Sequence, residues 1–332
     1  MHTLCLPTDV LAVSVRHNAD MRVLMADEVT AALSLWELID AIEQSFREHA
    51  SGVLPGPERL DSYLEDGEFH VKAGHSSGFF AVKANSAFFG NPPQRPAIQG
   101  VLLLFDSSTG EPIAALHSGT VTALRTAAAS AVAAKLLAPQ DSDTLGVLGA
   151  GEQAWQHARA LTAVRPVQLV RVWARRPDAG QALAARIRDE LGMACETVDS
   201  AQAAARSSMV ATCTPSSSPL LQAGDLLAGS FVAAVGADSA YKQELSGELT
   251  ASCAVVPDLL EQALAVGELH HAVGRGVMAS ADVLGELGEL LTASDPSALA
   301  AKARGRSILF DSTGTGFEDA AAAAMAVRVA AS

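Results

Sequence analysis

Aromatic residues are scarce in this chain of 332 residues, at 5% of the total, and cysteine is scarcer still, with four. Cys5, Cys195, Cys213 and Cys253 form no C-x-x-C pair and show no metal-ligand spacing. That argues against a disulfide scaffold or a zinc module and leaves reduced thiols in a cytoplasmic protein as the expectation. His270-His271 and the pair His70 and His75 lack a third ligand at metal spacing, so no metal site is expected. No apolar run is long enough to span a membrane. Residues 1–20 lack the basic n-region of a signal peptide and read as an extension before a folded body that opens at Met21. Basic residues are in deficit: 23 Lys and Arg against 37 Asp and Glu, a formal net charge of -14. An acidic surface argues against nucleic acid and anionic membranes as partners, yet leaves room for a local basic pocket that takes a small anion.

What the chain does have is apolar residues, 49% of the total, enough to bury a large core in one or two domains. Residues 34–50 place apolar side chains at i, i+3 and i+4 behind Ser34, a possible N-cap, and predict a surface helix. Between 68 and 117, EFHVKAG, FFAVKANSAFF, IQGVLLLFDSSTG and EPIAALH are short apolar runs broken by Gly, Asn and Pro. They predict strands of an antiparallel or mixed sheet, with a hairpin turn over Phe105–Gly110. Residues 120–138 predict a helix closed by Pro139. Strand-like TLGVLGA, VQLVRVWA, SMVATCT and SFVAAVG then alternate with helical segments, the pattern of a parallel, doubly wound sheet. The chain ends with a strand, a Gly-rich turn and a last Ala-rich helix.

Leu145 to Ala154 is an apolar strand running into G-x-G-x-x-A and a helix. Gly149 allows the tight turn, Gly151 lets backbone approach a pyrophosphate, and Ala154 permits close helix–sheet packing; the helix N-terminus faces the phosphate charge. Ala150, Glu152 and Gln153 complete the loop. The motif alone is weak, but the flanking strands sit where a βαβ unit needs them. The end of the second strand reads Trp173-Ala-Arg175-Arg176-Pro177, with no carboxylate for ribose hydroxyls and two guanidiniums suited to a 2′-phosphate. NADP(H) is therefore favoured, with NAD(H) possible.

Thr122-Ala-Leu-Arg125-Thr-Ala-Ala, the glycine loop, Ala234-Val-Gly-Ala-Asp238-Ser-Ala-Tyr-Lys242-Gln-Glu-Leu, Phe310-Asp-Ser-Thr-Gly314 and Glu318-Asp319 form an ordered set. From about Met21 to the C-terminus, that set resembles the ornithine cyclodeaminase/μ-crystallin family. The resemblance implies an α/β fold: a Rossmann NAD(P)-binding domain, 129–305, and an α+β substrate-binding and dimerisation domain, 21–128 with 306–332. It also implies a homodimer, and hydride transfer between the α-carbon of an amino or imino acid and a nicotinamide.

By motif match, Arg59, Lys83 and Arg125 take the family's carboxylate-binding positions, and Lys83 sits in an otherwise apolar strand where a lone ammonium is costly. Asp238 is the expected acid/base, a role typically worth about 100- to 10,000-fold in rate, and Lys83 is the second expected catalytic residue. Thr126, Thr212, Thr214, Val235, Gly236, Ser312 and Gly314 are marked for the cofactor, and Asp311 to Gly314 for the cleft between domains. His70 falls where ornithine-specific relatives carry a Glu for the side-chain amine, which counts against ornithine. Lys72 shares a strand face with His70 and suits a second anionic group, as on a dicarboxylic imine. The leading expectation is an imine reductase or amino-acid dehydrogenase. The alternatives are a cyclodeaminase that recycles its cofactor internally and a non-catalytic binding protein.

Overall fold

The computed structural model describes residues 21–92, 94–295, 301–303 and 305–331. The expected extension, residues 1–20, lies outside them.

The first of two large sheets comes from the N-terminal third. Its strands are β1 (Arg22–Leu24), β2 (Glu58–Tyr63), β3 (Glu68–Ser76), β4 (Phe79–Ala87), β5 (Ile98–Asp106) and β6 (Pro112–His117), in the order β1-β6-β5-β4-β3-β2. Strands β2 to β6 pair antiparallel, and β1 joins β6 in parallel, so the sheet is mixed. The predicted turn after Phe105 forms: the Asp106 carboxylate accepts the N–H groups of Ser108 and Thr109. Along β3 the even-numbered residues are buried and the odd ones are not, the period-2 pattern of a sheet with one face against the body. Register sets Lys72 opposite Lys83, His70 opposite Asn85 and Glu68 opposite Ala87. The buried face is thus studded with charge, which is rare unless the charges are paired or used.

From Thr144 on, strand and helix alternate. β7 (Thr144–Leu148), β8 (Leu169–Trp173), β9 (Ala194–Thr197), β10 (Met209–Thr212), β12 (Phe231–Ala234), β14 (Ala254–Pro257) and β15 (Ile308–Asp311) form a parallel sheet in the order β14-β15-β12-β10-β7-β8-β9. β11 (Ser217–Leu221) and β13 (Gln243–Leu245) pair separately beside it. β10 and β12 are buried throughout, as parallel strands covered on both faces must be.

Two expected boundaries move. β15 was assigned with the N-terminal half, but it hydrogen-bonds between β12 and β14, so the chain leaves the nucleotide-type sheet only after Asp311. The division at 128/129 falls inside one continuous helix, Ser118–Leu137, which is buried on nearly every side from Ala123 to Ala134. This helix bridges the two layers, touching β4, β5 and β6 on one side and β12 and β15 on the other, while the C-terminal helix, Gly316–Ala331, packs against β3, β4 and the helix Leu35–Ala50. Their alanines lose no rotamer entropy and let backbones approach closely, so a helix apolar all round can sit inside the body. One apolar cluster runs through both layers as a result.

Candidate functional site

A cavity of about 640 Å³ opens between the two sheets. It lies at the carboxyl ends of β7 and β10, where strand order reverses, the place open α/β sheets reserve for ligands. One wall is backbone. Gly149 sits at φ +117, and a Cβ there would stand 2.6 Å from the Cys213 carbonyl oxygen, so only glycine makes this turn. Gly151 caps the helix Glu152–Val164 without any side-chain bond, leaving the first-turn N–H groups open toward the cavity. Uncapped donors plus the helix dipole make an anion site. Gly151, Glu152 and Gln153 line it, with Thr214, Val235 and Gly236 facing them from the ends of β10 and β12. Gly149 and Ala150 shape the loop from behind. Thr212 is fully buried within the sheet and does not reach the cavity, correcting its expected cofactor role. Arg175 and Arg176 are exposed beyond the end of β8, and among the described residues neither guanidinium has a hydrogen-bond or ion-pair partner.

The opposite wall is cationic. Lys83 Nζ lies 2.7 Å from Asp319 Oδ2; Arg125 donates through Nε to Asp319 (2.9 Å) and through Nη1 to Glu318 (3.0 Å). All four side chains are buried. Burial pulls the Lys83 ammonium down to about 8 even beside Asp319. Arg125 also is desolvated, but Asp319 and Glu318 hold its proton more firmly than usual. Lys72 differs. It does not snorkel to solvent: it faces Lys83 across the strand pair, 6% exposed, and lines the cavity. Its Nζ donates only to carbonyls, of Thr313 (2.8 Å) and Gly314 (2.9 Å). Burial, with Arg59, Lys83 and Arg125 nearby, lowers its proton affinity to about 7.

The far end of the cavity is a ring of alternating charge. Arg59 Nε donates to Asp61 (2.7 Å), Asp61 meets His70 Nδ1 (2.6 Å), and His70 Nε2 lies 3.3 Å from Glu68. Lys242 Nζ then bridges Glu68 (3.0 Å) and Asp238 (2.7 Å), and Arg59 Nη2 closes the ring on the Asp238 carbonyl oxygen (2.7 Å). Burial works against charge at Asp61, His70, Glu68, Lys242 and Asp238. Even so, Glu68 and Asp61 hold His70 more basic than usual, and His70, Lys242 and Tyr241 hold the Glu68 carboxyl down to about 2. Asp238 is likewise kept well below the carboxylate range, chiefly by Lys242 and Lys72. Arg59 is held by Asp61 and the Asp238 carbonyl, and its Nη1 is buried without a hydrogen-bond partner among the described residues.

Ser312, Thr313 and Gly314 line the cavity, and Thr126 does so with its hydroxyl donated to Thr122 O (2.7 Å). Asp311 does not. Its carboxylate accepts the N–H groups of Glu268 and Leu269 at the start of the helix Glu268–Gly274, and burial raises it to about 7. Sequence reasoning missed Glu68 and Lys242. Strand alternation carried a signal for Glu68, on the same face as His70 and Lys72; nothing local pointed to Lys242 as its partner 174 positions away.

Fold and cavity define a dinucleotide-binding α/β protein whose second layer turns a buried cluster of cations, Lys72, Lys83 and Arg125, toward the glycine loop. The chain belongs to the ornithine cyclodeaminase/mu-crystallin family, whose model matches residues 19–331. It superposes on an archaeal alanine dehydrogenase dimer with bound NAD at a TM-score of 0.86, 30% identity, covering 94% of this chain and 96% of that one. The Δ(1)-pyrroline-2-carboxylate reductase of Thermococcus litoralis, in complex with NADH and L-proline, matches at 0.86 and 28% identity, with 94% and 98% covered. The iminosuccinate reductase of Paracoccus denitrificans, in complex with NAD+, matches at 0.84 and 30%, with 94% and 96% covered. Like them, the chain is an enzyme. Among the described residues, no helix is long and apolar enough to cross a membrane.

Proposed function

We propose that this protein is a nicotinamide-dependent oxidoreductase that interconverts an α-amino acid and its imine. One observation carries the reading: the uncapped phosphate-type loop and the cluster of Lys72, Lys83 and Arg125 open into the same cavity. The open first-turn donors at Gly151 to Gln153 suit a pyrophosphate, and the bound cofactor supplies or accepts the hydride. Lys83 and Arg125, fixed by Asp319 and Glu318, hold the substrate carboxylate. Lys72, with two N–H bonds spent on carbonyls and a proton affinity near neutrality, delivers a proton to the imine nitrogen or removes one from the amine. Asp238 stays ionised and faces the cationic iminium, so it acts by charge rather than as the acid/base first expected of it.

A cyclodeaminase is less well supported. His70, made more basic than usual by Glu68 and Asp61, stands where a side-chain amine would bind, and the neighbouring Glu68 is already bonded by Lys242, Tyr241 and Ser239. The test is a screen of amino acids with NAD+ or NADP+, following ammonia and reduced nicotinamide together. Equal amounts of both support the oxidoreductase. Ammonia without reduced cofactor replaces it with the cyclodeaminase, and cofactor binding without turnover of any substrate would leave a binding protein.

NADP(H) is the proposed preference, supported by two unpartnered arginines and no carboxylate at the end of β8. A homodimer is also proposed, supported by the apolar side chains Leu60, Phe69 and Val101 exposed on the outer face of the mixed sheet. Light scattering should give twice the 34.2 kDa chain mass; a monomer at micromolar concentration would rule the dimer out.

A further inference from the structure

Lys72 is held by a strap that is itself held from outside the cavity. Asp258 follows β14 and is buried. Its Oδ2 accepts the N–H groups of Thr313 (2.6 Å) and Gly314 (2.5 Å); its Oδ1 accepts the N–H of Leu259 (2.7 Å) and the hydroxyl of Thr313 (2.8 Å). Gln262 Nε2 donates to Thr313 Oγ1 (2.7 Å) and Gly314 O (2.8 Å). The peptide group between Thr313 and Gly314 is therefore bonded at both ends, its C=O by Lys72 and its N–H by Asp258. Gly314 stands at φ +74, and a Cβ there would lie 2.5 Å from the Arg125 guanidinium, so only glycine closes the strap this tightly.

We propose that Asp258 is a positioning residue for Lys72: it fixes two carbonyls against the ammonium and, through one peptide group, supplies a counter-charge that favours the protonated form. Four donors converge on Asp258 and leave no acceptor for a carboxyl proton, so its bonds suit the carboxylate although burial pushes its proton affinity up. The charges facing Lys72 are Lys83 from β4, Arg125 from the helix Ser118–Leu137, Arg59 from β2, Asp238 beyond β12, and Asp319 from the C-terminal helix. The three cations oppose its proton. Asp319 is shared by Lys83 and Arg125, and Asp238 is held by Lys242. Asp258 has no ion-pair partner among the described residues, and a polarised peptide transmits its charge in one direction.

The inference rests on the proposed proton transfer by Lys72 only for its effect on turnover; the link itself is read without turnover. The chain has five lysines, so isotope-labelled lysine gives a sparse spectrum in which Lys72 is identified by its loss in Lys72→Arg. In the full-length protein, Asp258→Asn should lower the Lys72 titration midpoint by about one unit or more and leave Lys135 unmoved. Gln262→Met removes two strap bonds but no charge and should leave the midpoint in place. An unchanged midpoint in Asp258→Asn overturns the proposal, and an equal shift in both variants overturns the counter-charge. If Asp258→Asn does not fold, the wild-type Gly314 amide proton serves instead. It should titrate together with Lys72, and an amide that ignores that titration overturns the proposal. Should the Lys72 midpoint move in Asp258→Asn while the pH profile of turnover stays still, the Asp258 link stands and the proton-transfer role of Lys72 falls.

Discussion

The two ends of the cavity treat a buried lysine in opposite ways. Lys242 lies between the carboxylates of Glu68 and Asp238, and although burial opposes its charge, they hold its proton more firmly than in water. Lys72, equally buried, lies among cations, meets only carbonyl oxygens, and comes down to about 7. A carboxylate partner fixes an ammonium; a carbonyl partner satisfies its hydrogen bonds and leaves the charge free to change. The first arrangement builds a wall, the second a group that can exchange a proton near neutral pH. The same contrast bears on Asp238, the expected acid/base: Lys242 and Lys72 favour its carboxylate form, which suits the charge-stabilising role proposed for it.

The largest effect that tests this contrast is at Lys72 itself. Lys72→Met should cut kcat by about 10,000-fold, the upper range for a positioned acid or base, while cofactor affinity measured by fluorescence stays near wild type. Turnover within tenfold of normal would show that the proton travels by another route. Asp238→Asn comes next, at about 100-fold, because it removes charge stabilisation of the iminium without removing the proton donor. A loss as large as that of Lys72→Met would return the acid/base role to Asp238.

A smaller effect, but one with a definite sign, lies in the pH profile. Lys72 must carry its proton for imine reduction. Since burial lowers its proton affinity to about 7, the reductive kcat/KM should be highest below neutrality and fall about tenfold per unit above it. Amino-acid oxidation needs the neutral amine and should rise through the same range. Two limbs of the same sign, or limbs that persist in Lys72→Met, would detach Lys72 from the proton step.

Much of this was legible in the sequence because the relevant signals are local. The strand, the G-x-G-x-x-A turn and the helix are contiguous, and Gly149 shows the backbone geometry that its residue type announced. Alternation along β3 set Lys72 and His70 on one face before any coordinate did, and the same alternation extends to Glu68. What was not legible is long-range. The run Ile308–Asp311 reads as a strand, but four apolar residues carry no information about which sheet they join, so β15 was placed in the wrong layer. Arg59 is charged and near the right elements, yet whether it faces ligand or Asp61 depends on a contact with Asp238, 179 positions away. Asp258 had no signal at all, since its role exists only once β14 and the turn after β15 lie side by side.

The smallest predicted effect extends the comparison to arginine. Arg125 is buried and committed to two carboxylates, whereas Arg175 and Arg176 are exposed and uncommitted at the end of β8. A committed guanidinium also holds the architecture together, and its loss strands Glu318 without a counter-ion and leaves Asp319 with Lys83 alone. An uncommitted one is free to meet a phosphate, but in solvent that contact is screened and worth little. Replacing both exposed arginines with serine should therefore weaken NADP+ binding by about tenfold, the order of one charge-assisted hydrogen bond, and leave NAD+ binding and thermal stability nearly unchanged. Equal weakening of both cofactors would mean that these side chains support the adenosine site in general. No weakening of either would remove the case for NADP+ and leave the missing carboxylate after Trp173 to be explained by an enzyme that binds NAD+ without it.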